Sequence, residues 1–201
     1  FTRWKTTDVV PKINKASRKV QKIYGSNTNL ICYCADIKNM YTSLPHNAII
    51  TSIQFMIERF KKTKTGRKCK SGISIEKRKQ GSVHPGYTKN NSYITLSFDD
   101  IIKICAFDIH NAYFKCFNTI LKQIVGVPMG SPGSPAYAIC ICMYYEHLFH
   151  LKMAQINQTT NNQYNHTNIC QGFRYIDDLF AFFAYDKHDK KSFKIAQSIK
   201  N

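Results

Sequence analysis

The sequence predicts an α+β fold, an antiparallel sheet backed by helices, on three observations. Short β-prone apolar runs, such as Leu30–Ile37 and Leu179–Tyr185, are interspersed with longer segments of helical period, and no internal repeat is present. Two adjacent acids, Asp177 and Asp178, interrupt the apolar stretch "GFRYIDDLFAFF" where two strands would turn. The chain has 201 residues, enough for a real core, and carries 29 Lys+Arg against 12 Asp+Glu, a net charge of +17. Charge of that sign and size points to a polyanionic partner, nucleic acid before a membrane surface.

Each element has its own justification. "PKINKASRKVQKIY" (Pro11–Tyr24) places Ile13, Val20 and Ile23 on one side of a basic helix. After the turn-like "GSNTN", the run "LICYCADI" reads as a buried strand ending near Asp36. "SLPHNAIITSIQFMIERF" follows as a helix, with Ile49, Ile53, Met56 and Ile57 at helical spacing. The basic stretch from about 59 to 90 has no apolar period and reads as a solvated insertion. Between Arg59 and Lys79 it holds about ten Lys/Arg and one acid, Glu76, so its functional reading is a clamp on phosphates through Lys61, Lys62, Lys64, Arg67, Lys68 and Lys70.

A second helix is predicted to open at Ser97, an N-cap followed by Asp99 and Asp100 in the first turn. "AYFKCFNTILKQIVG" alternates as a hairpin turning at Asn118–Thr119. Ser134–Pro135 opens the long helix "AYAICICMYYEHLFHLKM", and the polar tract "NQTTNNQYNHTN" is a surface loop. "ICQGFRYI" and "LFAFFAY" then pair as a hairpin with the two acids at its tip, and a helix follows from about Lys190.

No run approaches the roughly 18 apolar residues of a membrane span. Eight cysteines without a C-x-x-C pair read as buried free thiols in a reducing compartment, nuclear or cytoplasmic, and the N-x-S/T triplets at Asn90, Asn157 and Asn165 as chance products. The chain opens at Phe1 and closes at Asn201 inside a helix-like run, so it reads as a fragment.

The paired acids need an explanation. Two carboxylates about 4 Å apart repel by roughly 4 kcal/mol at an effective dielectric near 20. At a half-exposed hairpin tip a divalent cation relieves this, and Mg²⁺ takes one or two carboxylates together with water and substrate phosphates. Asp36, at the end of another strand, is the candidate third carboxylate for a two-ion site. Asp99–Asp100, by contrast, reads as a helix first turn.

"YIDD" (Tyr175–Asp178) resembles the signature of reverse transcriptases. "ADIKNMYTSLP" (Ala35–Pro45) resembles the family's first palm motif, and "GVPMGSPGSP" (Gly126–Pro135) the second, all three in order. The resemblance covers roughly residues 10 to 200, with palm motifs at 34–45, 126–135 and 173–180. Within the family, "QIVGVPMGSPGSP" and "DIKNMYTSLP" look most like the enzymes of Penelope-like retroelements, although Met129 stands where many members have Gln.

The resemblance implies a polymerase palm with part of the fingers, the thumb lying beyond the chain, and an RNA-directed DNA polymerase that is inactive as this fragment alone. It implies that Asp36, Asp177 and Asp178 are catalytic and, with the Ile37 carbonyl, hold two Mg²⁺ ions that Mn²⁺ can replace. Tyr41 would exclude a ribose 2′-hydroxyl, and Gly130, Ser131 and Pro132 would floor the templating pair. The implied partners are an RNA template with a DNA or RNA primer, and dNTPs. The competing expectations are a viral RNA-dependent RNA polymerase, disfavoured by Tyr41, a non-catalytic nucleic-acid-binding palm remnant, and telomerase, which shares this palm.

Overall fold

The computed structural model describes residues 9–69, 72–78, 82–159 and 170–200. In chain order its elements are α1 (Val9–Tyr24), β1 (Thr28–Asp36), α2 (Met40–Ser43), α3 (His46–Lys62), α4 (Lys64–Lys68), β2 (Gly72–Glu76), β3 (Val83–Pro85), β4 (Tyr93–Ser97) and α5 (Phe98–His110). There follow β5 (Tyr113–Cys116), β6 (Thr119–Lys122), α6 (Ser134–Thr159), β7 (Cys170–Tyr175), β8 (Asp178–Asp186) and α7 (Lys190–Lys200). The fold class is α+β as predicted, small antiparallel sheets with helices. No described helix is long and apolar enough to cross a membrane. The chain forms two compact units, one of Phe1–Lys38 with His147–Asn201 and one of Asn39–Glu146.

The first unit is organised by an antiparallel sheet of order β1-β8-β7. Its central strand is covered on both faces. Phe182 and Ala184 pack with Ala16 and Val20 of α1, while Ala181 and Phe183 pack with Ala196 of α7. That double burial is why "LFAFFAY" is continuously apolar instead of alternating. The rings of Phe173, Phe180 and Phe182 lie 6.4–6.5 Å apart and extend the α1-side core along the sheet.

β1, expected to be buried, is instead an edge strand. Ile31, Tyr33 and Ala35 point inward, while Leu30, Cys32, Cys34 and Asp36 are exposed. The reading of Cys32 and Cys34 as buried thiols is therefore corrected: an edge strand has one neighbour, and α1 screens only part of that face. Cys69 and Cys142 are the buried pair, and all eight cysteines are free.

In the second unit, Ile49 and Ile53 of α3 and Phe98 and Ile109 of α5 are buried, with the Phe60 and Phe98 rings edge-on at 6.1 Å. Tyr137, Ala138 and Ile141 from the start of α6 are buried too. α5 opens with the predicted cap: Ser97 Oγ accepts from the Asp100 N–H at 3.0 Å, and the Asp100 carboxylate accepts from the Ser97 N–H at 3.0 Å. The Ser97 hydroxyl and backbone N–H hold the Asp100 carboxyl below its usual range.

Two local readings change. Part of the stretch read as a solvated insertion is strand: β2 and β3 lie within it and join β4 beyond it in a sheet of order β3-β2-β4. Its signal was invisible because the buried positions of β2 are Gly72 and Ser74, not apolar residues. A Cβ on Gly72 would meet the Leu96 carbonyl oxygen at 2.1 Å, and Ser74 Oγ donates to the Gly86 carbonyl at 2.7 Å and accepts from the Thr88 N–H at 3.1 Å. The β5–β6 hairpin also turns one residue earlier than expected, at Phe117–Asn118, because Cys116 pairs with Thr119.

Candidate active site

The candidate site is built by strand register. Asp36, the last residue of β1, is the cross-strand partner of Asp178, the first of β8. Directly opposed residues share a face, with Cα atoms about 5 Å apart. Tyr175 of β7 is the partner of Asp178 on its other side, so Asp36, Asp178 and Tyr175 form a row across three strands. The next row along that face is Cys34, Phe180 and Phe173. With Arg174, these residues line a cleft of about 500 Å³. Like charges placed directly opposite one another cost stability, so this row carries a cost that packing does not explain.

Asp177 lies in the two-residue turn between β7 and β8. Its carbonyl accepts the Ile37 N–H at 3.1 Å, tying the turn to the end of β1 and leaving the Ile37 carbonyl on an exposed residue. Ile176, the first turn residue, has φ 53°. This is the position where a type II′ turn favours glycine, and a β-branched residue there is strained by roughly 1–2 kcal/mol. Arg174 braces the turn, donating from Nη1 to the Ile176 carbonyl at 2.9 Å.

Ile176→Gly should therefore be nearly neutral. Strain relief of about 1–2 kcal/mol offsets about 0.5–1 kcal/mol of glycine chain entropy and the loss of a half-buried side chain. Urea unfolding should show a change within about 1 kcal/mol, whereas a loss above about 2 kcal/mol would mean the turn carries no such strain.

Among the described residues, no group of three His, Cys, Asp or Glu side chains is arranged to hold a metal ion. The structure thus pairs Asp36 with Asp178 and ties Asp177 to Ile37 through its backbone, without gathering three carboxylates into one cage.

The other implied nucleotide residues belong to the second unit. Tyr41, in α2, is half-buried, and its carbonyl accepts the Val127 N–H at 2.7 Å. Gly126 donates its N–H to the Leu44 carbonyl at 2.8 Å, and its own carbonyl lies 2.8 Å from His46 Nε2, which must be the donor. The Gly-rich loop is therefore strapped to the backbone around Tyr41. Gly130 has φ 96° with open space where a Cβ would stand. The Ser131 N–H donates to the Pro128 carbonyl at 3.3 Å, and Pro132 is exposed.

Of the clamp residues, Lys62, Lys64, Arg67 and Lys68 are exposed at the end of α3 and on α4, while Lys61 pairs with Glu58 at 2.7 Å. Lys70 lies outside the described residues, as do Asn165 and most of the polar tract. The sequence reading missed Arg174, Phe173 and Phe180 as cleft residues and His46 as the strap. A two-residue turn at Ile176–Asp177 sets Tyr175 opposite Asp178 and Phe173 opposite Phe180, so placing that turn in the sequence would have found the β7 half of both rows.

No family model matches this sequence, and no curated protein matches it. Solved structures are similar to it in fold. They include apo telomerase from Candida tropicalis, with TM-score 0.61 and 16% identity over 96% of this chain and 28% of that one. A form of that enzyme truncated from its C-terminal domain has TM-score 0.60 and 17% identity over 97% and 31% of the two chains. Telomerase from Candida albicans in complex with a TWJ fragment of telomeric RNA has TM-score 0.60 and 15% identity over 97% and 28%. The chain thus spans under a third of these proteins and shares an α+β fold with them over nearly all of its length.

Proposed function

We propose that this chain is the palm and partial fingers of an RNA-directed DNA polymerase of the Penelope-like retroelement type, adding dNTPs to a primer 3′-hydroxyl on an RNA template. The observation that carries the reading is the register pairing of Asp36 with Asp178 in the lining of a cleft. The like-charged pair is costly to the sheet and useful for holding a cation.

The donors suit Mg²⁺, which needs one or two carboxylates and completes its shell with water and substrate phosphates. Asp36 and Asp178 would hold it, with the Ile37 carbonyl and Asp177 at the rim. When bound, such ions supply charge neutralisation for in-line attack on a triphosphate. The chain's own residues do the positioning. The Arg174 brace and the Ile37–Asp177 hydrogen bond fix the turn that presents Asp178. Tyr41 would exclude a 2′-hydroxyl, Gly130, Ser131 and Pro132 would support the templating pair, and the lysines and arginines of α3 and α4 would hold phosphates.

The test is primer extension on an RNA template by the full-length protein, with Mg²⁺ or Mn²⁺. DNA synthesis from dNTPs is expected, with Tyr41→Ala raising ribonucleotide use while sparing primer affinity. Preference for rNTPs in the unaltered protein would make it an RNA polymerase. Binding without extension under either ion would favour a non-catalytic palm.

A further inference from the structure

The β5–β6 hairpin exposes apolar surface that the fold does not use. Phe117 is 93% exposed, Ile120 74% and Tyr113 59%. Register places Tyr113 opposite Lys122 and Lys115 opposite Ile120, so one face of the hairpin alternates ring or alkyl group with cation. Lys122 Nζ stands 5.8 Å from the centre of the Tyr113 ring. At the tip, Phe117 has φ 52° at a turn position that favours glycine. An aromatic this exposed and held in a strained conformation serves neither folding nor solubility. No Asp or Glu occurs between Asp108 and Glu146, so the surrounding sequence adds no negative charge.

We infer that this hairpin is a stacking surface for unpaired bases of a single-stranded nucleic acid, with Phe117 and Tyr113 contacting bases and Lys115 and Lys122 contacting phosphates. Aromatic rings interleaved with cations are the combination that binds single strands with little sequence preference. A protein partner would leave the alternating lysines without a role, whereas a polyanion uses both halves of the pattern. The inference rests on the nucleic-acid reading above for the class of partner but not on catalysis.

The experiment measures binding of the full-length protein to a fluorescent single-stranded RNA and, separately, to a blunt RNA duplex across a salt series. Phe117→Gly removes the ring at a φ that glycine accepts, so it spares the turn. It should weaken single-strand binding by about fivefold to a hundredfold, leaving the salt slope and duplex affinity unchanged. Lys122→Gln should instead flatten the single-strand slope by about 0.7, one phosphate contact. Failure of primer extension in the unaltered protein, with these affinities as expected, would sink the catalytic reading alone, so the two failures are distinguishable. Unchanged single-strand binding in Phe117→Gly, or equal loss on duplex, overturns the inference. So does self-association by sedimentation that Phe117→Gly abolishes, which would make the occupant a second copy of this chain.

Discussion

Asp36→Asn in the full-length protein is expected to cut nucleotide addition by about a hundredfold to a thousandfold while leaving the fold at least as stable. The catalytic loss follows from removing a carboxylate that would hold a cation supplying several kcal/mol of transition-state stabilisation, at about 1.4 kcal/mol per tenfold. The stability follows from register: the substitution is isosteric and ends a like-charge pair between directly opposed residues, Asp36 and Asp178. Rate and melting temperature should therefore move apart. Single-turnover primer extension alongside thermal unfolding checks both. Retained extension would remove Asp36 from the site, and a lower melting temperature would show that the carboxylate serves the sheet.

Gly126→Ala should be among the most damaging single changes in the second unit. Its φ of 79° costs an L-residue roughly 1–2 kcal/mol. A Cβ there would also stand 2.5 Å from the Tyr41 carbonyl oxygen and 2.6 Å from the Thr42 carbonyl carbon and oxygen. These are backbone atoms, which cannot swing aside, so the total loss should reach about 3 kcal/mol or more. Gly130→Ala is the control. It shares a positive φ but has no atom within 4 Å of the added carbon, so it should cost only about the conformational 1–2 kcal/mol. Urea unfolding of the two variants gives the comparison. Equal losses would show that the loop is not pressed against the backbone around Tyr41.

Local pattern carried much of the architecture. The cap at Ser97, the helical period through Ile49 and Ile53, and the apolar run of β8 each depend on residues a few positions apart, so each was legible in sequence. The acids of the candidate site were legible as residue types for the same reason: adjacent carboxylates in an apolar run are a local anomaly. Their geometry was not. Asp36 and Asp178 are far apart in the chain, and their pairing is set by the register of β1 on β8. A slip of one residue would turn Asp36 to the opposite face.

Tertiary structure also decided exposure. β1 and β8 read alike as apolar strands, yet one became an edge with Cys32 and Cys34 in solvent, and the other was covered by α1 and α7. Composition cannot tell those positions apart, because burial is a property of neighbours. The same holds for β2, where one of the two buried residues is a serine whose hydroxyl finds its partners at Gly86 and Thr88. Chemistry was thus written in the sequence as residue type and short spacing. Which groups face each other, and which face water, was decided by long-range pairing and by the close fit of backbone at positions such as Gly72 and Gly126.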